Sequence, residues 1–172
     1  TYKEAVDVIS GIGVVDGYSG GDFKPTEVLT RGAAAKIICN LILGPTTASA
    51  LSASSAPFKD VPVSNTFAGY ITYCAQEKII NGYPDGTFRP NAAITRAETM
   101  TLVNRVLNRL PETEDDLLPN MTVWTDNANP KAWYYLAVQE ATNSHYYKFK
   151  TNSKYEKWSE LRETRDWTLL EK

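Results

Sequence analysis

The chain has 172 residues, a formal net charge of −2, and 42% hydrophobic and 22% charged residues. This length and composition are typical of a globular domain or a small array of repeats. The small net charge gives no reason to expect nucleic acid or an anionic membrane surface as a partner. No apolar run approaches the roughly 18–20 residues of a membrane-spanning helix, so we expect no membrane insertion.

Helical patterns alternate with loops in the first part of the chain. Residues 1–11 predict a helix that ends at Gly11. A second helix is predicted after Thr30, because apolar residues recur there at the spacing of one helix face. That face consists of Ala34, Ile37, Ile38, Leu41 and Ile42. Residues 46–57 are mostly small, and they predict a mobile linker or an insertion with little to bury.

The most informative stretch runs from residue 79 to residue 98 and predicts a turn-rich loop that leads into a helix. Pro84-Asp85-Gly86 favours a turn, since Pro presets φ, Asp bonds its own backbone and Gly accepts a positive φ. Thr95-Arg96-Ala97-Glu98 is a capping box, which starts a helix. Arg96 takes the first helical position, where the helix dipole disfavours a cation by roughly 0.3–1 kcal/mol. A basic side chain beside free backbone amides predicts a small anion-binding corner.

The same stretch occurs earlier in the chain, at a constant offset of 65 residues from Gly82–Arg96. Seven of fifteen positions are identical, namely the pairs Gly17/Gly82, Tyr18/Tyr83, Gly21/Gly86, Phe23/Phe88, Pro25/Pro90, Thr30/Thr95 and Arg31/Arg96. Repeated units bury their apolar faces against one another. An electrostatically unfavourable residue at the same place in two copies also points to a function for Arg31 and Arg96.

A third copy begins after an acidic segment, which predicts a solvated loop, but the copy is incomplete. Trp124-Thr125-Asp126 aligns with Phe58-Lys59-Asp60 at an offset of 66, and a helix is predicted from Pro130. The glycine-rich loop that should follow is missing. The same offset places Arg162 under Arg96, and a slip of three residues offers Thr164-Arg165 instead.

The motif Gly-Tyr-x-Asp-Gly-Thr-Phe-x-Pro, followed by Ile-Thr-Arg-Ala-Glu, resembles the signature of S-layer homology domains. Phe58-Lys59-Asp60-Val61 resembles the opening of such a repeat. The resemblance implies an all-α fold in which three repeats form a pseudo-threefold bundle. The expected divisions are repeat one at 1–45, a linker or insertion at 46–57, repeat two at 58–110, an acidic linker at 111–121 and a degenerate repeat three at 122–172.

The resemblance also implies a function. Such modules are non-catalytic and attach exported bacterial proteins to a cell-wall polysaccharide, often one that carries pyruvate ketals. The expected location is therefore extracellular, at the cell wall or S-layer, and the expected partners are that polysaccharide and upstream domains of the same polypeptide. The alternative is a protein–protein or structural module of a surface protein with little glycan affinity.

Arginines at helix N-termini suit a ligand carboxylate, and aromatic faces suit a pyranose ring. The predicted glycan-binding residues are Arg96, Arg31, Trp133, Glu98, Asp85, Gly86, Phe67 and Arg162. Asp85 has a turn role as its alternative. Three other aromatic residues of the third segment, Trp124, Tyr134 and Trp158, are predicted to be core.

The sequence gives little indication of catalysis or of metal binding. No Gly-x-Ser-x-Gly nucleophile elbow is present, so we expect no enzyme activity and no cofactor. A calcium loop at Asp85 would need further acidic ligands, and the single His145 has no ligand spacing beside it, so we expect no metal site. Cys39 and Cys74 are interpreted as two buried thiols or as one disulfide.

Overall fold

The computed structural model describes residues 3–18 and 20–163. The chain divides into two compact units, Thr1–Ile94 and Thr95–Lys172. Across the described residues these units contain six α-helices and one two-stranded antiparallel sheet. None of the described helices is long and apolar enough to cross a membrane.

Four helices form the first unit: α1 (Lys3–Gly11), α2 (Arg31–Leu43), α3 (Pro45–Ser49) and α4 (Ala68–Gln76). Its core lies where α2 packs against α4. Small side chains allow the close approach, and the buried residues on the two helices include Ala35, Cys39, Ala68, Ile71 and Cys74. By contrast, α1 buries none of its residues.

The predicted apolar face of α2 is only partly correct. Ala34 and Ile38 are buried as expected, but Leu41 and Ile42 are 52% and 40% exposed. The buried face of α2 is rotated relative to the prediction, since Ala35 and Cys39 are fully buried and the Cys39 sulfur lies 3.6 Å from that of Cys74 on α4.

The segment predicted to be a linker contains ordered structure. Helix α3 covers its beginning, and Ala48 on that helix is fully buried. Further along, the backbone carbonyl of Leu51 approaches Gly69 on α4 so closely that a Cβ at Gly69 would lie 2.4 Å from it. The segment therefore packs closely against the helices of the first unit.

In the second repeat, the opening motif at Phe58–Val61 contacts the glycine-rich loop that begins at Gly82. The Asp60 carboxylate accepts hydrogen bonds from the backbone amides of Phe88 (2.8 Å) and Arg89 (2.7 Å). The Phe58 ring lies 5.3 Å from the ring of the fully buried Phe88. A Cβ at Gly82 would lie 2.2 Å from the Phe58 ring. The opening motif thus fixes the conformation of the glycine-rich loop.

The second unit contains α5 (Arg96–Val106), α6 (Tyr135–Thr142) and the strands β1 (His145–Phe149) and β2 (Glu156–Leu161). Short 3₁₀ turns occupy Glu114–Asp116 and Thr125–Asn127. Helices α5 and α6 pack together, and the buried Asn104 amide donates to the Ala137 carbonyl at 2.9 Å. Trp158 on β2 is buried, as predicted.

The prediction of an all-α, pseudo-threefold bundle is wrong. The third segment contains a β-hairpin, in which His145 pairs with Leu161 and Phe149 with Glu156 across a register irregularity at Tyr146/Tyr147. The hairpin follows from sequence features that the repeat alignment obscured. His145–Phe149 is rich in aromatic residues, and Glu156 and Trp158 alternate with exposed residues, both of which favour a strand.

Buried charges connect the hairpin to the helices. Arg109, just after α5, pairs with Glu140 of α6 (2.9 Å) and with Glu156 of β2 (2.7 Å). The Nε2 atom of His145 lies 3.2 Å from both carboxylates, and its ring stacks on Trp158 at 3.9 Å. Because the two carboxylates are buried, each needs such a cationic partner.

The acidic segment is not simply a solvated loop. Asp116 is buried and accepts hydrogen bonds from the backbone amides of Glu112 and Thr113. Lys150, in the hairpin connection, pairs with both Asp116 (3.1 Å) and Glu112 (2.7 Å). Hydrogen bonds and this cation outweigh burial and lower the pKa of Asp116.

We expect Ile38→Ala to reduce the free energy of unfolding by about 2–5 kcal/mol, because it empties a packed interior site. Ile42→Ala on the same helix is the control, and it should cost less than about 1 kcal/mol because its side chain is 40% exposed. Urea denaturation followed by far-UV circular dichroism measures both. Equal losses in the two variants would show that α2 has a different buried face.

The stability of the second unit should fall as the pH rises from about 6 to about 9. Burial opposes the charging of His145, but its hydrogen bonds and attraction to Glu140 and Glu156 outweigh burial and raise its pKa. A raised folded-state pKa stabilises the fold below the unfolded value of about 6.5, and this contribution is lost as the pH passes the folded value. Burial also raises the pKa of Glu156, which acts in the same direction.

Tryptophan fluorescence is the appropriate probe for this experiment, because Trp124, Trp133 and Trp158 lie in the second unit and residues 1–94 contain no tryptophan. The melting temperature should be lower at the higher pH, and His145→Gln should flatten the dependence. A melting temperature that rises over this interval in the wild type would contradict the assignment of a charged His145.

Candidate functional site

The start of α5 is built as the sequence predicted. The Thr95 hydroxyl accepts the Glu98 amide at 3.2 Å, and the Glu98 carboxylate accepts the Thr95 amide at 2.8 Å. Glu98 is therefore engaged in the helix cap. The cap fixes the first turn of α5, and the Arg96 side chain projects from that turn and is exposed.

Arg96 lines a groove of about 500 Å³ in the second unit. Helix α5 contributes one wall, the turn at Trp124–Asn127 a second, and the start and outer face of α6 a third. The lining residues are Arg96, Ala97, Met100, Trp124, Asp126, Asn127, Tyr134, Val138 and Thr142. A cation, a carboxylate and two aromatic rings thus converge on a mostly apolar groove, the usual composition of a small-ligand site.

Trp124 is not a core residue, contrary to the prediction. It is 48% exposed, and its indole N–H donates to the Thr142 hydroxyl at 3.1 Å. This hydrogen bond holds an exposed ring beside the groove. Tyr134 is half-buried and also lines the groove, so its predicted core role is wrong as well.

Asn127 is the groove residue that sequence reasoning missed. It is only 3% exposed, and its Nδ2 atom donates to the Tyr135 carbonyl at 3.3 Å. That hydrogen bond fixes the orientation of the amide. Its Oδ1 atom is buried and has no hydrogen-bond partner among the described residues. A buried acceptor without a donor costs about 1–3 kcal/mol, so this oxygen destabilises the turn that carries it. The sequence feature that could have drawn attention to Asn127 is its position directly after Asp126 in the opening motif.

Arg31, the counterpart of Arg96, lies in a very different environment. It is 3% exposed; its Nε donates to the Phe88 carbonyl at 2.8 Å and a terminal nitrogen donates to the Asn81 carbonyl at 3.0 Å. Its guanidinium also lies 4.8 Å from the centre of the Tyr83 ring and 4.7 Å from that of Phe88. The loop of the second repeat therefore binds the arginine of the first.

The backbone at the start of α2 is also engaged. The amide of Arg31 donates to the Ala92 carbonyl at 2.9 Å, and the amide of Gly32 donates to the Pro90 carbonyl at 2.8 Å. These carbonyls take the place that an anion would occupy at this helix N-terminus. The ligand-binding role predicted for Arg31 is not the one that this geometry supports.

The remaining predicted residues do not converge on one place. Phe67 packs directly over Gly32, where a Cβ would lie 2.5 Å from its ring. Gly86 has φ +82° at the loop turn. Arg162 continues the hairpin, since its amide donates to the Ser144 carbonyl, and its guanidinium lies over the Tyr146 ring at 4.7 Å. The alternative pair, Thr164 and Arg165, lies outside the described residues.

Asp85 and Trp133 are exposed, as Arg96 and Arg162 are. Asp85 accepts hydrogen bonds from the hydroxyl and amide of Thr87 and pairs with Arg89 at 3.0 Å, which lowers its pKa to about 2. This is the turn role given as its alternative. Trp133 is 66% exposed and packs edge-on against Tyr134, a groove residue, with the ring centres 5.3 Å apart.

The structure also brings together a group that no sequence spacing predicted. The donor atoms of Glu140, His145 and Glu156 all lie within 4.8 Å of one another, close enough for a metal ion. Arg109 lies among them, with a terminal nitrogen 3.0 Å from His145 Nε2. A guanidinium in this position supplies the positive charge that the carboxylates need, so the cluster is better described as an ion-pair network.

The repeated motif and the two helical units define a repeat protein, and its second unit carries a surface groove. Two stretches, residues 2–35 and 57–100, match the sequence model of the S-layer homology domain. They are S-layer homology domains, so the family predicted from the repeated motif is confirmed. The degenerate third repeat lies beyond these matches and stays a prediction.

Several known proteins are similar to parts of this chain. The chain is 44% identical over 98 residues to a cellulosome-anchoring protein of Acetivibrio thermocellus, which covers 57% of this chain and 22% of that protein. It is 30% identical over 109 residues to a surface layer protein of Brevibacillus choshinensis, and this match covers 63% of this chain and 10% of that protein. It is 27% identical over 130 residues to a middle cell wall protein of Brevibacillus brevis, and this match covers 76% of this chain and 12% of that protein.

The chain therefore spans less than a quarter of each of these relatives. Their names agree with the predicted extracellular, cell-wall location, and together with the family match they point to a non-catalytic module.

Replacing the two equivalent arginines with alanine should have very different effects on the free energy of unfolding. Arg31→Ala leaves two loop carbonyls without their donor and should cost about 3 kcal/mol or more. Arg96→Ala removes an exposed cation from a helix N-terminus and should change stability by less than about 0.5 kcal/mol. Thr95→Ala, which removes the cap beside Arg96, should cost about 1 kcal/mol. Urea denaturation of the three variants tests this order, and equal costs for the two arginine variants would contradict it.

Proposed function

We propose that this chain is a non-catalytic module that holds an exported protein on the bacterial surface by binding a cell-wall polysaccharide in the groove of the second unit. The observation that carries the proposal is the convergence of Arg96, Trp124 and Tyr134 on one groove. The family match and the names of the relatives support the anchoring role.

Arg96 would select an acidic polymer. Its guanidinium is exposed at the start of α5, where the helix dipole adds positive potential. A carboxylate can accept two parallel hydrogen bonds from a guanidinium. A pyruvate ketal places such a carboxylate on a sugar ring, which makes a pyruvylated polysaccharide the proposed ligand.

The rest of the groove suits the sugar itself. The ring of Trp124 is held by its hydrogen bond to Thr142, and its exposed face can stack on the apolar face of a pyranose. The exposed Asp126 carboxylate, which also lines the groove, would accept a hydrogen bond from a sugar hydroxyl. Trp133, exposed beside Tyr134, would contact a neighbouring sugar of the polymer.

We assign the remaining predicted residues supporting roles. Glu98 caps the helix that presents Arg96, and Asp85 and Gly86 shape the loop of the second repeat. In the first unit, Arg31 and Phe67 hold α2 against that loop and against α4. This assignment makes the second unit the site of ligand binding for the part of the chain that the structure describes.

Arg96→Ala should weaken binding to purified pyruvylated cell-wall polysaccharide by about 1.5–3 kcal/mol, roughly tenfold to a hundredfold. Lys157→Ala, an equal change of charge at an exposed position on β2, should leave the affinity within about twofold. Arg96→Lys keeps the charge but loses the paired hydrogen bonds, so it should fall between wild type and Arg96→Ala. Isothermal titration calorimetry measures all four proteins.

Trp124→Ala should also weaken binding, and removing the pyruvate from the polymer should abolish the difference between wild type and Arg96→Ala. If Arg96→Ala and Trp124→Ala both bind as tightly as wild type, the groove is not the site. If the protein still binds sacculi from which the polysaccharide has been stripped, the module recognises something else, and the alternative of a protein–protein or structural module is favoured.

A further inference from the structure

Cys39 and Cys74 form a close buried pair in the first unit. Cys39 lies on α2 and Cys74 on α4, both are fully buried, and their sulfur atoms are 3.6 Å apart. Neither glycan binding nor the family motif uses these residues. The pair lies 35 positions apart in the sequence, so it joins two helices at the centre of this unit's core.

We propose that Cys39 and Cys74 form a disulfide bond that covalently joins α2 to α4 when the protein folds in an oxidising environment. The sulfur atoms must approach by about 1.5 Å to reach a bond length of about 2.05 Å, which rotation of the two side chains can supply. The thiols give up only weak hydrogen bonds in this rotation, because their other acceptors are the carbonyls of Tyr70 at 3.6 Å and Ala35 at 3.8 Å.

The chemistry needs an oxidant, and a low-molecular-mass disulfide such as oxidised glutathione supplies it. The thiolate of one cysteine attacks a sulfur of this oxidant, which forms a mixed disulfide and releases one small thiolate. The second cysteine thiolate then attacks the protein sulfur of the mixed disulfide and releases the other small thiolate. The protein loses two protons and two electrons, and the oxidant gains them as two thiols.

Burial determines when this exchange takes place. Both thiols are inaccessible in the folded unit, so the exchange belongs to folding, before α2 and α4 close over the sulfurs. Once formed, the bond is buried from reducing agents by the same packing. Export to the cell surface, where the named relatives are found, provides the oxidising conditions under which such bonds persist.

The test is refolding of the whole chain from denaturant with either oxidised glutathione or a phosphine reductant, followed by denaturation and alkylation. After oxidative refolding, the monomer should take up no alkyl group, and its intact mass should be lower by two hydrogen atoms. After reductive refolding, it should take up two alkyl groups. Cys39→Ala and Cys74→Ala are the controls, and each should keep one reactive thiol or one bound glutathione.

The bond should also stabilise the first unit. A disulfide that closes a loop of this length typically lowers the unfolding equilibrium constant by roughly thirtyfold to several hundredfold. Oxidised wild type should therefore unfold at higher urea than reduced wild type when far-UV circular dichroism is followed, and the alanine variants should show no such difference. Two reactive thiols after oxidative refolding, disulfide-linked dimers in place of the monomeric bond, or an oxidised protein less stable than the reduced one would overturn the proposal. Glycan affinity is a separate readout, because the proposed groove lies in the other unit.

Discussion

The first unit depends on one buried cation. Taking a guanidinium out of water is costly unless its N–H groups find acceptors, and Arg31 finds them in the carbonyls of Phe88 and Asn81. The rings of Tyr83 and Phe88 add cation–π attraction. These contacts give a physical reason for the repeated motif. The glycines shape the loop so that its carbonyls point at the arginine, and the two aromatic residues surround the charge.

The arginines of the two Thr-Arg motifs lie in different environments. In both, the threonine hydroxyl caps the helix, so the local structure is the same. At Arg31 the loop of the next repeat supplies carbonyls to the side chain and to the helix amides. At Arg96 the side chain is exposed and lines a groove with aromatic neighbours. The same short sequence therefore stabilises one unit, and in the other it leaves an exposed charge at the groove, where we propose that it binds the ligand.

The second unit replaces the missing glycine-rich loop with a hairpin. The loop of the second repeat is held by Asp60, which accepts two backbone amides. In the third segment, the hairpin is held by Arg109, Glu140, His145 and Glu156. Buried ion pairs of this kind add little stability over apolar packing, but they demand specific partners. They fix which strand residues face the helices, and they make the unit sensitive to the charge on His145.

Short-range patterns in the sequence were enough to predict the family, the repeat, the helix after Thr95 and its capping box, because these depend on residues only a few positions apart. The exposed position of Arg96 is also consistent with its place at a helix N-terminus. Which arginine would be buried, however, depended on whether a neighbouring loop supplied carbonyls, and no local pattern contains that information. The hairpin, the exposure of Trp124 and the buried oxygen of Asn127 were likewise decided by tertiary structure. Each of them rests on partners 8 to 18 residues or more away, such as Tyr135, Thr142 and Glu140, which only packing brings together.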